Sequence, residues 1–273
     1  MNSPFRTFEI SDPRFETDGI RLVTLKSKAL GQRCDISIHT PAGAAQTQDL
    51  PIVILLHGVY GSHWAWTLKG GAHKTNERLH ALGEIPPMAL VMPSDGLWGD
   101  GSGYLAHRSQ DFERWIVEEV PAAARHAVVG CSENSPIFIA GLSMGGFGAL
   151  RIAAKYPGKF TASSGHSSVT QFDQMRDFVE EHPTSFTALE EDRSVLDQML
   201  RHAGRLCPFR FDCGTEDHLI AANRGLHESL DAHKIAHTYR EFPGGHTWDY
   251  WECHLEETLR FFAAHAKTPN VRG

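Results

Sequence analysis

Short, continuous apolar runs punctuate the chain, and segments of helical spacing lie between them. Ile52-Val53-Ile54-Leu55-Leu56, Met88-Ala89-Leu90-Val91-Met92 and Ile137-Phe138-Ile139-Ala140 are bounded by proline, glycine or polar residues. They are too short for free-standing helices and apolar on both alternating faces, so they read as strands covered from both sides. Phe160 to Ser164, Leu206 to Cys213 and His237 to Phe242 read as further strands. Helical spacing marks Ala72 to Leu82, Leu219 to His233, Thr247 to Ala266, and Asp111 to Val129, where Phe112, Trp115, Ile116 and Val120 share a side and Pro121 should bend or restart the helix. Gln171 to His202 is expected to be mostly helical with a break near Pro183. The first forty residues differ: Arg6 to Ile10, Gly19 to Leu25 and Arg33 to Thr40 alternate apolar with polar, as in Cys34-Asp35-Ile36-Ser37-Ile38, and predict antiparallel strands at one edge of the sheet. Strands alternating with helices predict an α/β fold, a mostly parallel central sheet with helices on both faces. Without a linker or low-complexity run, residues 1–273 read as one domain, 1–50 carrying the edge strands and 51–266 the core.

Composition narrows the partners. The net charge is −7, with no basic cluster to neutralise a run of phosphates, so no nucleic-acid partner is expected. The longest apolar run, Ile52 to Leu56, is far too short to cross a bilayer, and MNSPFRTFEI lacks the pattern of a leader, so the expectation is a cytoplasmic protein with no membrane partner. Five cysteines without a C-x-x-C pair indicate neither a disulfide framework nor a zinc ribbon. The seventeen histidines show no H-E-x-x-H or comparable spacing, so no metal site and no cofactor is expected. A homo-oligomer is left open.

One stretch carries chemistry. Gly141-Leu142-Ser143-Met144-Gly145 is a complete G-x-S-x-G motif, with the apolar run from Ile137 before it and good helix formers from Ala149 to Tyr156 after it. A serine on so sharp a strand-to-helix turn sits in strained backbone, and residues two positions either side must be small. The bland alternative is a glycine-rich turn without chemistry; the matching flanks favour a nucleophile.

Serine is a poor nucleophile at neutral pH and needs a base, and the base needs an orienting group. In the α/β-hydrolase order the acid and then the histidine follow the serine. Gly214-Thr215-Glu216-Asp217 follows the strand Leu206 to Cys213, which makes Asp217 the candidate acid, with Glu216 its rival and Asp212 within the strand. Pro243-Gly244-Gly245-His246-Thr247 is a flexible loop after the last strand, which makes His246 the candidate base; His237, His254 and His265 belong to a strand or a helix. The backbone N–H groups of Met144 and of Val59, in His57-Gly58-Val59, are the candidate oxyanion donors. His57 reads as structural. Tyr60, Trp64, Trp66 and Trp98 lie on loops expected to border the mouth and are the candidate substrate-binding residues; with Tyr104 they would either stack on an acyl group or sugar or pack as core and rim.

LLHGVYGSHWAW, AGLSMGGFGAL, CGTEDHL and GGHTWDYW, in this order, resemble the esterase D-like esterases. That group is similar to tributyrin esterases, feruloyl and acetylxylan esterases, S-formylglutathione hydrolases and mycolyltransferases. The resemblance covers Pro51 to the closing helix and implies an α/β-hydrolase fold and a Ser143-His246-Asp217 triad. The implied partner is a small-molecule ester, hydrolysed through an acyl-enzyme; an S-formylglutathione hydrolase-type thioesterase, a feruloyl or acetylxylan esterase, or an acyltransferase on the same fold is the alternative. The chain departs from S-formylglutathione hydrolases, which carry a histidine before the nucleophile and a serine-tyrosine pair after the acid's histidine, in having Leu142 and His218-Leu219-Ile220. Little room for a large lid points to short acyl groups.

Overall fold

The computed structural model describes residues 4–186 and 189–266; residues 1–3, 187–188 and 267–273, which the single-domain expectation spans, lie outside the described residues. Among the described residues nine strands form one sheet: β1 (Phe8–Ile10), β2 (Ile20–Lys26), β3 (Arg33–His39), β4 (Ile52–Leu56), β5 (Ala89–Pro93), β6 (Ile137–Leu142), β7 (Ala162–His166), β8 (Phe209–Gly214) and β9 (Thr238–Phe242). Their order is β1-β2-β3-β5-β4-β6-β7-β8-β9. The first three strands are antiparallel at one edge, β3 meets β5 antiparallel, and every pairing from β5 through β4 to β9 is parallel. The helices are α1 (Ala65–Leu68), α2 (Ala72–Ala81), α3 (Phe112–Arg114), α4 (Val120–Ala127), α5 (Met144–Lys155), α6 (Val195–Arg201), α7 (Ile220–Ala232) and α8 (Trp248–Ala266).

The two-sided burial of the apolar runs is visible in β4, all five of whose residues are buried. Successive side chains of a strand point to opposite faces. Ile52, Ile54 and Leu56 join Trp115, Phe147 and Leu150 in one core layer, whereas Val53 and Leu55 join Trp66, Leu79, Leu255 and Phe262 in the other. Fully burying such a side chain stabilises the fold by about 1.5–3 kcal/mol, so charge at any position of this strand is excluded. The helix expected from Asp111 runs through α3, widens into a π-helical stretch at Trp115–Glu119, and continues as α4 with Pro121 in its first turn. A proline ring collides with the carbonyl four residues back in a regular helix, and the widened turn precedes it.

One expectation is corrected. Between Gln171 and His202 the described residues hold one α-helix, α6, and short 3-10 turns at Phe172–Asp177, Pro183–Ser185 and Glu190–Arg193. Long-range bonds replace the helical ladder here: Glu180 N–H donates to the Asp100 carboxylate at 2.8 Å, and the Glu181 carboxylate accepts from Asp100 N–H at 3.1 Å. Buried Arg151 on α5 donates to the Glu113 carboxylate and to Tyr104 O (2.7 Å), and lies 3.5 Å from Asp192, pinning this segment above the sheet.

Candidate functional site

Parallel register aligns strand ends: Leu56 pairs with Gly141, Leu142 with His166, and Gly214 with Phe242. The residues just beyond these ends, His57-Gly58-Val59, Ser143, Thr215 to Asp217, and Pro243 to His246, therefore meet at the carboxyl edge of the sheet, where ligands of open α/β sheets bind.

Ser143 is at the junction of β6 and α5, with φ 54° and ψ −119°. For a residue with a Cβ, that conformation costs on the order of 1–3 kcal/mol and persists only when its surroundings impose it. They do so here through Ser143 N–H donating to His166 O at 2.9 Å, while Ser143 O accepts from Phe147 N–H at 3.1 Å and Val169 N–H at 3.2 Å. Sterics select the glycines. A Cβ on Gly141 would lie 2.2 Å from Gly145 O, and one on Gly145 would lie 2.3 Å from Leu56 O.

Ser143 Oγ lies 3.0 Å from His246 Nε2, and His246 Nδ1 lies 2.9 and 3.1 Å from the two Asp217 carboxylate oxygens. The proton on Nδ1 is thereby directed at the carboxylate and the Nε2 lone pair at the serine hydroxyl. Asp217 is buried and also accepts from Leu219 N–H at 2.8 Å. Burial works to raise the pKa of its carboxyl, but the hydrogen bond and charge of His246, with the Leu219 N–H, outweigh it and hold the group below the ordinary aspartate range. The rival carboxylates point elsewhere. Glu216 is exposed, and Asp212 is committed to a buried cluster with His166 (3.1 Å), Arg210 (3.0 Å) and the Tyr250 hydroxyl (2.9 Å).

His57 is structural in its contacts: its Nδ1 bonds Gly58 O at 2.7 Å, and its Nε2 accepts from Asp95 N–H at 3.2 Å. It fixes the turn that brings Gly58 against the elbow, where an added Cβ would lie 3.3 Å from Ser143 Cβ. The N–H groups of Val59, which lines the same cavity as Ser143, and of Met144, the next residue, have no backbone acceptor among the described residues. Met144 opens α5, so its N–H is one of those a helix leaves unsatisfied.

A cavity of about 270 Å³ reaches Ser143 and His246, with Tyr60, Trp64, Leu142, Phe178, Trp248 and Trp251 in its wall. Of the four substrate-binding candidates the structure thus brings Tyr60 and Trp64 to the cavity, together with the oxyanion candidate Val59, and leaves Trp66 and Trp98 out of it. Trp66 is 1% exposed; its indole N–H donates to Leu56 O at 3.0 Å and its ring packs edge-on against Trp248 at 5.8 Å, behind the wall. Trp98 packs against His107 at 4.5 Å and Phe186 at 4.9 Å, away from the cavity. Tyr104 is fully buried and its hydroxyl donates to His57 O at 3.0 Å. Sequence reasoning passed over Leu142, Phe178, Trp248 and Trp251. The two tryptophans had a signal: three residues apart and just after His246, they share one face of a helix that starts at the loop. Phe178, held where the Tyr60 hydroxyl donates to its carbonyl, had none.

Known proteins resemble this chain in sequence and in fold. The family model described as "Putative esterase" matches residues 27–262. An acetyl esterase of Caldicellulosiruptor saccharolyticus is 25% identical over 236 residues, 80% of this chain and 85% of that protein. Among solved structures, a ferulic acid esterase superposes with a TM-score of 0.78 at 23% identity, covering 95% of this chain and 99% of its own. An S-formylglutathione hydrolase from Agrobacterium tumefaciens does so with a TM-score of 0.74 at 18% identity, covering 96% and 99%. At those identities the likeness to the solved structures speaks for the fold, and the family match for the chemistry. The chain belongs to the family of esterases that this model describes, and it is a carboxylic ester hydrolase of the α/β-hydrolase fold.

Proposed function

We propose that the protein hydrolyses esters of short acyl groups through an acyl-enzyme on Ser143. The observation that carries this reading is the unbroken relay of 3.0 Å from Ser143 Oγ to His246 Nε2 and 2.9 Å from His246 Nδ1 to Asp217, set on a strained turn at the floor of the cavity. His246 Nε2 takes the hydroxyl proton as Ser143 Oγ bonds to the carbonyl carbon. The oxyanion is held by the N–H groups of Met144 and Val59. His246 then returns the proton to the departing alkoxide; a water, deprotonated by the same Nε2, adds to the acyl-enzyme and releases the acid. Asp217 keeps the ring in the required tautomer throughout.

The acetyl esterase among its relatives and the modest cavity support acetyl to butyryl esters. Each further methylene adds about 0.8 kcal/mol only while it can be buried. The aromatic wall of Trp64, Phe178, Trp248 and Trp251 favours a second reading, an aromatic acyl group stacked beside His246. A kcat/KM series of p-nitrophenyl esters from acetyl to dodecanoyl, with a feruloyl ester and S-formylglutathione alongside, separates the readings. A maximum at two to four carbons is expected, as in about C2–C4 acyl chains; a rise through long chains refutes the short pocket. Fluorophosphonate treatment should modify Ser143 and leave Ser143→Ala unlabelled, and an adduct on Ser62, Ser164 or Ser167 refutes the assignment.

A further inference from the structure

Beside the relay lies an imidazole that the proposed chemistry does not use. His218 follows Asp217 directly, is half exposed, and its ring centroid is 4.5 Å from that of His246. Its Nδ1 is 3.7 Å from Asp217 Oδ1, and one ligand atom each from Asp217, His218 and His246 lies within 4.8 Å of the other two. Ligand atoms on one tetrahedral zinc ion stand roughly 3.3 Å apart, from metal–ligand bonds of about 2.0–2.2 Å. The two separations from Asp217 Oδ1, 3.1 Å to His246 Nδ1 and 3.7 Å to His218 Nδ1, bracket that spacing. Asp217 is closed from solvent by its burial, so the half-exposed His218 side is the route of entry.

We propose that Asp217, His218 and His246 form an inhibitory site for a borderline divalent transition metal such as zinc, a regulatory site that rests on the serine-esterase reading above. Two imidazole nitrogens and one carboxylate oxygen are the donor set such ions prefer to magnesium or calcium, and a fourth position stays open to water. Inhibition follows from proton placement. A metal on the lone pair of His246 Nδ1 requires that nitrogen to be unprotonated, so the single proton of the neutral ring moves to Nε2. The atom 3.0 Å from Ser143 Oγ is then an N–H donor and cannot accept the hydroxyl proton. No bond to carbon forms or breaks, and chelation reverses the block by returning the proton to Nδ1. His218 contributes to metal capture alone.

The test has two arms. In the first, p-nitrophenyl acetate turnover of the wild-type protein and of His218→Ala is titrated with zinc and then EDTA. The wild type should be inhibited and recover, and His218→Ala should keep its turnover without metal. Even an outer hydrogen-bonding partner of a metal ligand is worth about 10–100-fold in affinity, so loss of a ligand should shift the inhibitory zinc concentration up by at least about tenfold. In the second, Ser143→Ala, whose ligand set is intact, is titrated with cobalt(II). Visible absorption of a four-coordinate site should appear and be lost in Ser143→Ala/His218→Ala; this difference cancels binding at the protein's other histidines. Equal zinc sensitivity with and without His218, no inhibition of the wild type, or a cobalt spectrum indifferent to His218 overturns the proposal. The cobalt arm needs no turnover, so a failure of the esterase reading and a failure of the metal site are told apart.

Discussion

Replacing Asp217 by Asn changes one atom type at the end of the relay, and its effect can be worked from the distances. The carboxylate accepts from Leu219 N–H at 2.8 Å and from His246 Nδ1 at 2.9 and 3.1 Å. An amide has only one oxygen, and the fixed backbone donor of Leu219 claims it. The NH2 group then faces His246 Nδ1, which must turn acceptor, and the ring's proton goes to Nε2. At 3.0 Å from Ser143 Oγ that nitrogen would donate where it must accept. In a serine protease the same exchange lowers kcat about ten-thousand-fold with the geometry intact, and such a loss corresponds to roughly 5 kcal/mol of transition-state stabilisation. The expectation for Asp217→Asn is a fall in kcat of that order with little change in KM, since the cavity wall is untouched. The assay is steady-state hydrolysis of p-nitrophenyl acetate, with circular dichroism and a thermal melt to establish that the variant folds. A folded Asp217→Asn with kcat within about tenfold of the wild type refutes the tautomer argument, and an inactive Glu216→Gln beside it moves the role to the neighbour.

Two other perturbations test the framework of the site. Gly145→Ala places a methyl group 2.3 Å from Leu56 O and 2.6 Å from His57 O, so the elbow must move away from the loop that carries Val59; a misplacement of about 1 Å can cost about a hundredfold in rate. Fluorophosphonate labelling rates should fall accordingly, and wild-type rates would show that the elbow tolerates the displacement. His39 is buried beside His73, accepts at Nδ1 from the Asn76 amide at 3.1 Å, and has its pKa pushed down to about 4, chiefly by burial. Because the unfolded chain binds that proton more readily, the contribution to stability is complete above about pH 6.5 and is lost as pH falls toward about 4, a change of about 3 kcal/mol. Urea unfolding from pH 7.5 to 4.5 should show it, and His39→Asn, which keeps an acceptor for Asn76, should flatten the slope; an unchanged slope would refute the assignment.

The sequence by itself determined the features that are local in cause. The apolar runs at Ile52 to Leu56 and Ile137 to Ala140 could only be strands covered on both faces, and the collision of a Cβ at 141 with the Gly145 backbone lies within the five residues around Ser143, whereas a Cβ at 145 meets Leu56 O and His57 O, which only the fold brings there. The positions after the strands ending at Gly214 and Phe242 followed too, because parallel strands put their carboxyl ends on one edge. What lines the cavity was decided only by tertiary packing. Trp66 and Trp248 carry the same indole, but α1 and α8 meet so that one ring is wedged behind the other, and a sequence does not state which side of that contact faces the cavity. The segment from Gln171 escaped for the same reason. Its backbone partners, Asp100 among them, lie some eighty positions away, and hydrogen bonds of that range leave no periodicity in the residues that make them.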